Sequence, residues 1–137
     1  MRILSILLPA CLALMPALDC AAADFDGTRP FLCATMDVAS CAPGQDCARE
    51  SAQTVNAPEF FVVDVSKMLV SERGNGSAGR TSKIDHVEHQ SGLLMLAGTD
   101  GVESWAASIV ESNGKLSYSV VGDRMIVAAF GACVIQR

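Results

Sequence analysis

Turn-forming residues recur about every ten positions through the C-terminal half of this 137-residue chain. Ser91-Gly92, Thr99-Asp100-Gly101, Asn113-Gly114 and Gly122-Asp123 punctuate a series of apolar stretches. Asn-Gly between alternating segments is a strong two-residue hairpin signal. Residues 92–135 therefore read as three consecutive hairpins. Within them Leu93 to Gly98 is a short buried strand, and Trp105, Ala107 and Ile109 share one strand face. Leu116, Tyr118 and Val120 alternate with Ser117 and Ser119, as a half-buried strand requires. Met125 to Ile135 is the last, nearly continuous apolar strand.

The first half is less regular. Phe31 to Val38 is expected as a strand, and Ala39 to Glu50 as a loop turning at Pro43-Gly44. Glu59 to Val65 is rich in β-branched and aromatic residues and reads as another strand. Lys67 to Arg73 pairs with it or continues it. Gly74 to Gly79 is a turn, and Arg80 to Gln90 is polar with Ile84 and Val87 as its aliphatic anchors. No 15-residue window carries a helical stripe, and only residues 49–57 leave room for a short helix. The expected fold is all-β: one antiparallel meander forming a small barrel or sandwich of about seven to eight strands.

The N-terminus reads as an address. Arg2 precedes an apolar run, Ile3 to Leu18, which is interrupted by Ser5, Pro9 and Pro16. Ala21 and Ala23 supply the small residues of a cleavage site, so residues 1–23 are expected to be a removed signal peptide and residues 24–137 a single secreted domain. A retained anchor and a lipidated Cys20 are the alternatives. Asp19 and Ala17 hold the places where lipidation favours a small residue and Leu. Arg2 and Asp19 cancel, so the remaining chain keeps the formal charge of −5. That acidic balance argues against a nucleic-acid partner.

Four cysteines follow the expected cleavage point: Cys33, Cys41, Cys47 and Cys133. In a secreted domain they read as two disulfides. Cys41 and Cys47 flank the Pro-Gly turn and suit a local clip, which leaves Cys33 for Cys133. Cys33–Cys41 with Cys47–Cys133 is the other arrangement. No C-x-x-C occurs, so redox catalysis has no motif.

Other patterns have ordinary explanations. Gly74, Gly76 and Gly79 spell G-x-G-x-x-G, but no helical periodicity follows, so a hairpin loop is expected rather than a dinucleotide site. Asn75-Gly76-Ser77 matches a weak glycosylation sequon. His86 and His89 could share a metal only on a helix; on the expected strand they point apart, with Ile84 sharing the His86 face. Met36, Met68, Met95 and Met125 are expected to fill the core. Carboxylate pairs such as Glu59 with Asp64 or Asp100 with Glu103 read as solvated turn charges. Trp105 is expected in the core, with a binding role only if it lies near a barrel mouth. No catalytic, cofactor-binding or metal-ligating residue is assigned, and no enzyme activity is expected.

One resemblance runs across most of residues 24–137. It rests on Cys33-x7-Cys41-x5-Cys47, Pro58-Glu59-Phe60 with Asp64, Ser82-Lys83-Ile84, Gly92-Leu93-Leu94 and Gly98. It continues through Trp105 and Asn113-Gly114-Lys115-Leu116 to Phe130-Gly131-Ala132-Cys133. The chain resembles a group of small secreted proteobacterial proteins of unknown function. The resemblance implies a periplasmic, disulfide-bonded β domain and carries no ligand or activity.

The leading functional expectation is a non-enzymatic periplasmic binding domain. Its partner would be an envelope protein, a lysozyme-type hydrolase that it inhibits, or a small apolar molecule. An acidic surface suits a basic target such as a lysozyme. A lipocalin-like ligand carrier is the alternative, and an internal cavity would mark it. Phe60, Phe61, Met95, Trp105 and Phe130 could instead fill a small barrel. A metal binder using His86 and His89 is the third possibility.

Overall fold

The computed structural model describes residues 24–74 and 79–136. The expected signal peptide and the glycosylation sequon lie outside the described residues. Ten strands form one antiparallel sheet: β1 (Phe31–Cys41), β2 (Ala48–Glu50), β3 (Phe60–Asp64), β4 (Leu69–Glu72), β5 (Thr81–Lys83), β6 (His86–Gln90), β7 (Leu93–Asp100), β8 (Glu103–Val110), β9 (Lys115–Val121) and β10 (Ile126–Ile135). Their order across the sheet is β5-β4-β3-β1-β10-β9-β8-β7-β6, with β2 paired to β1 off this path. A single 3-10 turn, Val65–Lys67, is the one helical element among the described residues. Residues 49–57 form strand and turns, so the short helix considered there is absent.

The count of ten corrects the expected seven to eight. Two local features add strands. Ala48–Glu50, expected within a loop, folds back along Val38–Ser40 of β1. The polar stretch Arg80–Gln90 breaks at Ile84-Asp85, so its two halves are separate strands with different neighbours.

Those halves bring the ends of the sheet together. β5 pairs with β4, and β6 pairs with β7. At the break, the Ile84 amide donates to Met68 O and the Asp85 amide donates to Ala97 O, each at 2.9 Å. The Asp85 carboxylate accepts from the amide and hydroxyl of Thr99, both at 3.2 Å. One bent segment thus hydrogen-bonds to both ends, and the sheet curls into a barrel-like shape. Gly98 permits the approach. A Cβ there would lie 2.3 Å from Lys83 O and 2.7 Å from the Trp105 indole.

Inside the curl the inward residues follow the two-residue strand period. Phe31, Val63, Ile84, Leu94, Leu96, Ile109 and Leu116 are buried together. Cys33 and Cys133 are buried register partners on β1 and β10 and are disulfide-bonded. Their bond closes 100 residues of sequence, worth about 4–5 kcal/mol in the chain-entropy account. Cys41–Cys47 clips the β1–β2 turn. Phe25, which precedes β1, covers one end of the barrel, edge-on to Phe31 with ring centroids 5.9 Å apart. Gly114, at φ +70°, leaves room for the Phe25 ring, which a Cβ would meet at 2.6 Å. At the same end Asp64 is buried and accepts from Ser66 and Lys67. The Lys67 ammonium, 2.8 Å away, and the Ser66 hydroxyl hold its carboxyl below the ordinary carboxylate value.

Three large residues expected in the core, Phe60, Phe130 and Met36, face outward instead. Phe60 and Phe130 are 50% and 61% exposed, because their neighbours Phe61 and Ala129 take the inward positions. Met36 is 73% exposed at a β-bulge between Thr35 and Asp37. Met125, exposed in the turn before β10, lines the mouth of the barrel cavity and does not fill the core. Asp64, read above as a solvated turn charge, is likewise corrected to a buried cap of the 3-10 turn.

Gly98→Val is expected to lower unfolding free energy by at least about 2 kcal/mol, because backbone and indole must both move. Gly74→Ala, with nothing within 4 Å of the new Cβ, is the control and should stay within about 0.5 kcal/mol. Urea unfolding followed by Trp105 fluorescence reads both.

Candidate binding cavity

The end opposite Phe25 is open. There the barrel interior forms a cavity of about 150 Å³. Its walls alternate inward from five strands: Phe61 of β3, Leu96 of β7, Trp105 and Ala107 of β8, Tyr118 and Val120 of β9, and Val127 of β10. Val63, Ile109 and Leu116 lie deeper. Asn56, Glu72, Arg80, Ser82, Asp100 and Glu103 are the polar residues toward the rim. The site therefore has apolar walls and a charged entrance.

The segment from Ser51 to Pro58 overhangs this entrance. Ala52 and Val55 pack on the buried Val38, Val127 and Ala129. Arg80 ties the segment down by donating to Asn56 O, while its Nε lies 3.3 Å from Glu72 Oε2. A second tie runs through the wall. Thr35 donates its hydroxyl proton to Pro58 O at 2.7 Å. With that proton committed, Thr35 Oγ1 accepts from the Tyr118 hydroxyl 2.9 Å away. Tyr118 packs edge-on to Phe61.

Trp105 combines the two roles weighed for it. It packs against the main core and also lines the cavity, one inward position below Glu103. Its indole lies over Gly98, and its buried Nε1 has no hydrogen-bond partner among the described residues. Asp100 and Glu103 are exposed and are direct register partners at the entrance, so this pair is brought together. Glu59 and Asp64 are not: Glu59 accepts from Gln53, and Asp64 sits at the covered end.

His86 and His89 both fall on β6 and are exposed. His86 lies 3.5 Å from Glu88, and His89 Nδ1 lies 2.6 Å from Glu111. No group of three or more His, Cys, Asp or Glu that could hold a metal occurs among the described residues. Ile84 does not share the His86 environment, since the break buries Ile84 and leaves His86 exposed. After Gly79 the chain enters β5, not the helix that a dinucleotide fingerprint needs.

Sequence reasoning missed Arg80 and Asn56 as organisers of the entrance. Their bond joins residues 24 positions apart and leaves no local pattern. Glu103 was findable, since it shares the strand parity of Trp105, Ala107 and Ile109. The chain matches no protein-family model, no curated protein and no solved structure.

Burial raises the Tyr118 phenol above its ordinary value of 10.0. A raised folded value stabilises the fold below the unfolded pKa. That contribution is lost as pH rises through the folded pKa. Tyr118 is the only tyrosine, so ultraviolet titration reads it alone. Ionisation is expected above pH 10 in the native protein and at the ordinary value in urea.

Proposed function

We propose that this protein is a non-enzymatic binding domain of the periplasm or extracellular space, and that its site is the open barrel cavity. The observation that carries this reading is the coincidence of apolar walls with an open, polar entrance at one end. A space of about 150 Å³ is the size that accepts one benzene-like group. Drug-sized ligands need roughly 300 Å³ or more. The ligand is therefore a small apolar molecule or one apolar group of a larger one. Two disulfides suit an oxidising compartment. No helix among the described residues is long and apolar enough to cross a membrane.

Recognition of an envelope protein, or inhibition of a lysozyme-type hydrolase, is the second reading. It is favoured by the exposed Met36, Phe60, Phe130 and Val134 on β1, β3 and β10. Apolar residues on the outside of a sheet suit a protein partner.

Trp105 is the only tryptophan and lines the cavity, so its fluorescence reports occupancy directly. Toluene and phenol are expected to shift its emission saturably. Ala107→Leu should fill the space and abolish that response while leaving thermal stability close to that of the natural chain. Absence of any saturable shift would overturn the cavity reading and leave the outer face as the recognition surface.

A further inference from the structure

The cavity has an ordered polarity from entrance to floor. Along β8 the inward residues run Glu103, Trp105, Ala107, Ile109, and along the facing β7 they run Asp100, Gly98, Leu96, Leu94. Each two-residue step is about 7 Å. Acidic groups therefore stand about one step above the aromatic level and about two above the aliphatic level. A buried charge without a partner is costly, so a charged ligand group belongs at the entrance and its apolar body below.

The entrance charges are unevenly matched. Glu72 is held by Arg80 at 3.3 Å. Asp100 accepts only from the Ser82 hydroxyl, at 2.9 Å, and no cation lies within ion-pair distance of Asp100 or Glu103 among the described residues. The two are direct cross-strand partners, and like charges placed so are destabilising. A cation between them would remove that repulsion. The indole of Trp105 stands on the next inward position, where an aromatic ring further favours an approaching cation.

We propose that the ligand is an amphiphilic cation: a benzene-sized apolar body seated among Phe61, Leu96, Trp105 and Ala107, carrying an ammonium group held at the entrance by Asp100 and Glu103. This rests on the cavity reading above and adds to it the charge, position and orientation of the ligand. Depth decides the orientation. A lysine side chain entering end-on would carry its ammonium to the apolar floor, so the fitting arrangement has its charge on the solvent side of its apolar group.

The test uses three probes with the same ring and different heads: 2-phenylethylammonium, 2-phenylethanol and 3-phenylpropanoate. Each is titrated into the full protein at low salt, with Trp105 fluorescence as readout. The ammonium is expected to bind about fivefold or more tightly than the alcohol, and the carboxylate most weakly. Added salt should shrink the ammonium's advantage. In the double variant Asp100→Asn/Glu103→Gln the ammonium and alcohol should bind within about twofold of each other, with the alcohol's affinity unchanged. Equal binding of ammonium and alcohol to the natural chain would overturn the proposal and leave the cavity reading standing. So would a preference that survives the double variant. Failure of all three probes would overturn both.

Discussion

The bent segment from Thr81 to Gln90 is the constraint on which the rest depends. Its first half belongs to one end of the sheet and its second half to the other. Without it the inward faces of β3, β4, β7 and β8 would line an open, water-filled curve, and the apolar residues there would gain little from burial. Two backbone bonds at Ile84 and Asp85, and the Asp85 carboxylate on Thr99, hold the junction. The missing side chain at Gly98 lets Lys83 O come close, and the Trp105 indole occupies the space beside it. Closure and the placement of Trp105 are thus one packing event.

That event makes the two ends of the barrel different. At one end Phe25, Phe31 and the Cys33–Cys133 bond complete a dry floor. At the other the sheet ends in charged residues, and the overhanging segment is held by single bonds from Arg80 and Thr35. Among the described residues this second end is the open one. The ties from Arg80 and Thr35 reach the overhang at Asn56 and Pro58, both of which line the cavity. The outer face is a separate matter, since Phe60 and Phe130 turn away from the interior.

The parts of the fold legible in the sequence are those set by local chemistry. Hairpins over residues 92–135 close through short turns whose Gly and Asn residues mark them, and the alternation at Leu116, Tyr118 and Val120 fixes which face is inward. The parts not legible depend on distant partners. Nothing near Ile84 announces that its amide will bond to Met68 and that of Asp85 to Ala97. Adjacent large residues hide their parity: Phe60-Phe61 reads the same whichever one points inward, and a one-residue choice reverses both. The bulge that expels Met36 is equally silent. For the site, Trp105 was legible as a residue whose role depends on depth, but its position just inside the entrance required the curled sheet. Asp100 and Glu103 read as ordinary turn charges until register placed them opposite each other.

The interior beneath the entrance is an apolar space open at one end. A crystal structure of the protein under xenon pressure would reveal that space. Xenon density is expected between Phe61, Leu96, Trp105, Ala107 and Tyr118, with the side chains around it unmoved. An interior closed by those same side chains, with xenon bound only on the outer face beside Phe60 and Phe130, would contradict it.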